Sequence, residues 1–162
     1  MKRLGTMFFC LACVLVLVPM QSGAVCLRGH PTVTAEIATS RSVVIGTVMT
    51  ARDVTGDPGD PGGITSTVYT LKVTEVLSGR SSSQIRVVSD NTSSRFPMDV
   101  GESYIVFVQS NGSELYTDSC GNSGALPNAS SVVKKVREAN SRQGLTVPSS
   151  VSESGNASSG VG

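Results

Sequence analysis

Cys26 and Cys120 are the residues of this 162-residue chain whose type and spacing first suggest chemistry. The other two cysteines, Cys10 and Cys13, sit in an N-terminal apolar run. An even pair left over in an exported chain reads as a disulfide. It would close a loop of 94 residues, for which chain entropy gives on the order of 4–5 kcal/mol of stabilisation. Two other chemistries compete for the same residues. A zinc site of Cys26, His30 and Cys120 would need a fourth protein ligand or an activated water, and a nucleophilic cysteine would need a placed base. His30 is the only histidine, which excludes zinc enzymes built on two.

The remaining titratable residues form weaker constellations. Asp57 and Asp60 lie in a Gly/Pro-rich stretch from Gly56 to Gly63, but their spacing fits no EF-hand loop, so a flexible solvated loop is expected there. Glu75 and Glu102 are a conceivable acid–base pair, yet each falls where a strand's solvent face or a turn is expected. A serine triad would have to use His30, hemmed in by Pro31. No Gly-rich phosphate loop and no Gly-x-Ser-x-Gly elbow is present. The expectation is no catalytic residue, no cofactor and no metal. Four Asn-x-Ser/Thr sequons, at Asn91, Asn111, Asn128 and Asn156, mark candidate glycosylation sites on surface segments, if the host glycosylates asparagine.

Charge and composition narrow the partners. The formal net charge is +1 and aromatic residues make up 4% with no Trp, so neither a basic footprint nor a stacking platform for nucleic acid exists. The cations of the central block, Arg41, Arg52, Lys72, Arg80, Arg86 and Arg95, are interleaved with acids, unlike a phosphate-binding groove.

The elements that must position Cys26 and Cys120 begin after a leader. Residues 1–24 combine Met1-Lys2-Arg3, an apolar run from Phe8 to Val18, and small residues at Ser22-Gly23-Ala24. That is the pattern of a secretory signal peptide, and the run is too short for a membrane span. Losing it takes 13 basic residues to 11 against 12 acidic ones, so the mature chain is nearly neutral. Lipidation of Cys26 is disfavoured because Val25, not a small residue, precedes it. Export to a secreted or periplasmic location follows.

The mature domain is expected over 25–142. Val33, Ile37 and Ala38 have helical spacing within 32–41, with Thr32 or Thr34 as cap. Strands are expected at 43–50, with Gly46 as a bulge or bend, and at 67–76, where Tyr69, Leu71 and Val73 alternate with polar residues. Three more follow at 84–89, 103–109 and 114–118, the last two joined at Asn111-Gly112. Val132, Val133, Val136 and Ala139 mark the apolar face of an amphipathic helix over 129–139, with Lys134, Lys135, Arg137 and Glu138 on its solvated face. Ser, Gly, Val and Pro dominate 143–162, which predicts a disordered tail. The fold class is mainly β: a five-stranded Greek-key OB-like barrel with a short N-terminal helix and a C-terminal amphipathic helix. An immunoglobulin-like sandwich, which usually needs about seven strands, comes second.

Several segments carry a family resemblance. Cys26 followed by His30-Pro31, Ala35 and Val43-Val44-Ile45-Gly46-Thr47-Val48 resembles the start of the tissue inhibitor of metalloproteinases and netrin-like superfamily. Val73-Thr74-Glu75-Val76-Leu77-Ser78-Gly79 is similar to its second-strand ending. Phe96 to Phe107, containing Val100-Gly101-Glu102-Ser103-Tyr104-Ile105-Val106, is similar to its most telling segment. Cys120 before a helix matches its closing cysteine, and the likeness, to a bacterial-type single-domain member, spans about residues 26–139. It implies an OB-type barrel that acts by binding another protein, with a zinc metalloproteinase as candidate partner. It further implies that Cys26 and Leu27 form the protease-contacting ridge, Cys26 chelating the catalytic zinc and Leu27 entering an apolar pocket. The competing expectation is an envelope-associated structural or glycan- or lipid-binding barrel without inhibitory activity.

Overall fold

Val43-Val44-Ile45 is an unbroken apolar run because both faces of the strand that carries it are covered. The computed structural model describes Cys26 and residues 29–144. Residues 1–25, with the expected leader, Leu27, Arg28 and residues 145–162, including Asn156 and most of the expected tail, lie outside the described residues. In chain order the elements are α1 (Val33–Thr39), β1 (Ser42–Asp57), β2 (Asp60–Gly79), β3 (Gln84–Asp90), β4 (Ser103–Asn111), β5 (Glu114–Tyr116), β6 (Gly124–Ala125), a 3₁₀ turn (Leu126–Asn128) and α2 (Ser130–Gly144). The protein is mainly β. Strands β1-β2-β3-β5-β4 follow one another and β4 returns to β1, so five strands close in a ring. All neighbours are antiparallel except β3 and β5. The sixth strand, the two-residue β6, pairs with β4 at Tyr104↔Ala125.

Two apolar clusters follow from the alternation of side chains along these strands. Inside the ring lie Val44, Val48, Tyr69, Leu71, Ile85, Val87, Tyr104, Val106 and Val108, closed by Phe96 and Met98 from the segment before β4. On the outer face of β1 and β4, Val43, Ile45, Ile105 and Phe107 meet Val33 and Ile37 of α1 and Val133 and Val136 of α2. Each such side chain contributes about 1.5–3 kcal/mol when fully buried. A helix as short as α1 holds only because it docks in this way. Its N-cap is Thr32, whose Oγ1 accepts from Ala35 N at 3.2 Å.

Residues 96–99 are fixed by hydroxyls rather than by a strand. Ser89 Oγ accepts from Phe96 N at 2.8 Å, Tyr69 Oη from Met98 N at 3.3 Å, and Tyr104 Oη from Asp99 N at 2.9 Å. Phe96 and Tyr104 also meet edge to face, centroids 5.9 Å apart, a favoured aromatic geometry.

Several expectations need correcting. The stretch 56–63 is not a loop: β1 and β2 run on through it, and only Pro58 and Gly59 make the turn between paired Asp57 and Asp60. Its Gly and Pro residues are tolerated because this end of the hairpin pairs with no third strand. The five expected strands form the ring, to which the two-residue β6 adds a sixth; β5 stops at Tyr116, and α2 continues to Gly144. Ala38 is exposed, so α1 docks through Val33, Glu36 and Ile37 instead. The bulge expected at Gly46 is present as a register shift between Ile45 and Gly46. No helix among the described residues is long and apolar enough to cross a membrane.

Candidate functional site

Cys26 and Cys120 are joined as a disulfide, their Cα atoms 5.5 Å apart, so neither the metal nor the nucleophile reading of these thiols holds in this state. The link fastens the segment ahead of α1 to the connection between β5 and β6. The Cys26 carbonyl accepts from Gly29 N at 3.0 Å. Gly29 itself stands at φ +68°, a region that disfavours side chains with a Cβ. Leu27, the other residue of the expected ridge, lies outside the described residues.

A second fastening lies beside the disulfide. Glu36, on the docking face of α1, is only 6% exposed. Its Oε2 accepts from Asn122 N at 2.7 Å and from Asn122 Nδ2 at 2.6 Å, and the same Nδ2 donates to Pro31 O at 3.0 Å. Gly121 passes so close to the carboxylate that a Cβ there would collide with it. Burial raises the Glu36 pKa above its ordinary value. The bonds from Asn122 oppose that, Asp118 adds to it, and His30 opposes it. On the far side the connection is held by Ser123 Oγ, which accepts from Phe107 N at 3.0 Å and shares a 3.0 Å hydrogen bond with Thr117 Oγ1. Asp118 Oδ1 accepts from Cys120 N at 2.8 Å. Cys26 is thus held covalently, and Pro31 is held by the buried carboxylate network through Asn122.

The other sequence candidates separate. His30 is exposed. Glu75 does not team with Glu102: both its oxygens accept from Arg137 Nη2 of α2, at 2.8 and 3.0 Å. That ion pair borders a groove of about 830 Å³ along α2, floored by Ile45, Leu126 and Val133. No group of three or more His, Cys, Asp or Glu residues is placed to hold a metal among the described residues. The described sequons differ in environment. Asn111 and Asn128 are exposed, whereas Asn91, also exposed, uses its side chain: Nδ2 donates to Ile64 O at 2.8 Å and Oδ1 accepts from Arg95 Nη1 at 3.4 Å.

No protein-family model and no curated protein matches this chain. Function therefore rests on the geometry. Glu36 and Asn122 were invisible to motif reading; the only sequence signal was a carboxylate set between Val33 and Ile37 on the apolar face of a short helix.

Proposed function

We propose that this chain is an exported, non-catalytic module that works by binding another protein, with a zinc metalloproteinase as the candidate partner and the ridge at Cys26 and Leu27 as the contact. The observation that carries this reading is the pair of fastenings on either side of the ridge position: the disulfide holds Cys26, and the Glu36–Asn122 network holds Pro31. A braced segment loses little conformational entropy on binding. The ring order β1-β2-β3-β5-β4, with its one parallel contact, supports reading the sheet as an OB-type Greek-key barrel. It agrees with the sequence resemblance to the tissue inhibitor of metalloproteinases and netrin-like superfamily.

Two features of this chain set the terms of the inhibition. Position 28 is Arg28, where the animal inhibitors carry a second cysteine, so one bridge does the bracing. The Cys26 carbonyl already accepts from Gly29 N, leaving one lone pair for a metal. The test begins with the intact mass and N-terminal sequence of the natively secreted protein. A start at Cys26 puts the α-amine beside that carbonyl, and inhibition of a zinc metalloproteinase is then expected, weakened roughly tenfold or more (about 1.4 kcal/mol) by Leu27→Gly. A chain that starts at Cys26 and leaves such enzymes unaffected overturns the inhibitory reading. A start at Val25 closes zinc chelation and leaves the binding module.

A further inference from the structure

The ring closes on one side through a single pairing. β3 and β5 meet only at Val88↔Tyr116, where Val88 O accepts from Thr117 N at 3.0 Å. Backbone groups along a strand alternate in direction. Ser83 O and Asn91 N bond to β2-side partners, Val73 N and Thr65 O. The even-numbered positions therefore face the other way, and Gln84 and Arg86 present their N–H and C=O groups with Val88 toward β5. No strand pairs with them on that side among the described residues.

The gap left there is a cleft of about 560 Å³ lined by Val68, Ile85, Val88 and Leu115, with Arg86 and Glu114 on its walls. Ile85 and Leu115 also line an adjoining cleft of about 310 Å³ that includes Arg41 and Arg80. These three arginines are exposed, and none forms an ion pair among the described residues. Three cations thus face one acid along an apolar, unpaired strand edge. No aromatic residue lines either cleft, which leaves nucleobases nothing to stack on.

We propose that this seam binds an extended acidic segment of a partner protein, which adds as a strand to the outer edge of β3. The free N–H and C=O groups of Gln84 and Arg86 supply the main-chain hydrogen bonds of strand addition. Alternate side chains of the guest pack on Ile85 and Leu115, and its carboxylates meet Arg41, Arg80 and Arg86 in charge-assisted bonds. The surface shares no residue with the ridge at Cys26 and Leu27.

The experiment uses the full mature chain with its disulfide intact. The probe is a fluorescein-labelled, acetylated seven-residue peptide alternating glutamate and valine, followed by anisotropy. Saturable binding is expected, weakened roughly tenfold or more by Arg86→Glu, with an unchanged melting temperature showing that this variant is folded. The same peptide N-methylated at every second amide should lose binding, and the Gln84 and Arg86 amides should gain protection from hydrogen exchange in the complex. Leu27→Gly should leave binding unchanged, which separates this surface from the ridge. Absence of binding, equal binding of a lysine–valine peptide, indifference to N-methylation, or displacement by oligo-thymidine would each overturn the proposal.

Discussion

Glu36 and Asn122, 86 residues apart, meet at a single carboxylate oxygen: Oε2 accepts from both the backbone N and the side-chain Nδ2 of Asn122. This contact ties α1 to the disulfide-bearing connection between β5 and β6.

Asn122→Ala removes the Nδ2 bonds to Glu36 and to Pro31 O while leaving the backbone bond. Hydrogen bonds to a buried charge are worth about 1.5–3 kcal/mol, so urea unfolding of the oxidised protein should show a loss of about 2 kcal/mol. A loss within error of zero would mean that the network contributes no bracing.

The raised pKa of Glu36 sets a pH dependence of definite sign. The folded protein holds this proton more tightly than the unfolded chain does, so between the ordinary value of 4.5 and the raised folded value the native state binds more protons. Stability from this group is therefore greatest at acid pH, falls as pH rises through that window, and is flat above it. Glu36→Gln, which cannot ionise, is the reference. The stability of the wild type minus that of the variant should decline from about pH 4 upward and then level off, and a rise over the same range would contradict the assignment.

Gly121→Ala drives a methyl group into the Glu36 carboxylate, and overpacking of this kind costs about 1–3 kcal/mol. Made in a Glu36→Ala background, the same change should cost much less, because the obstacle has gone. The non-additivity is the readout. Additive costs would place the strain elsewhere.

Tyr69→Phe and Tyr104→Phe each delete one hydroxyl and keep the packing. Each should cost about 1 kcal/mol. Amide exchange should quicken at Met98 in the first variant and at Asp99 in the second, since those are the amides the two hydroxyls accept from. A uniform change across the ring would show that the hydroxyls do not act locally.

The sheet was legible wherever burial was one-sided or complete. Tyr69, Leu71 and Val73 alternate because one face of β2 looks into the ring. The unbroken runs in β1 and β4 mark strands covered on both faces, with α1 and α2 outside. The end of the β1–β2 hairpin was not legible, because a solvent-facing ribbon has no core to impose a pattern and its Gly and Pro residues mimic a loop. β6 has two residues, too few for any period. The disulfide could be read from the even pair of cysteines that remains outside the N-terminal apolar run. The Glu36–Asn122 contact could not, since nothing local to α1 specifies a partner in the Cys120 connection. Asn91 read as a glycosylation signal, while its structural role depends on Ile64 and Arg95, which only the folded hairpin brings near.

The pairing of β1 with β4 ends at Thr47, whereas β1 continues to Asp57 against β2 alone. β3 flanks β2 as far as Ser66, which lies opposite Val54, so only the end of the hairpin over residues 55–64 stands out from the ring, as a short two-stranded arm reaching roughly 10 Å. Its length is a free parameter of the fold. Removing two successive residues from each strand shortens the arm by two steps and keeps every remaining side chain on its face, whereas removing a single residue from one strand turns that strand's faces over. The arm can therefore lengthen or shorten by even steps over evolution while the ring beneath it, and the Cys26–Cys120 link, stay as they are.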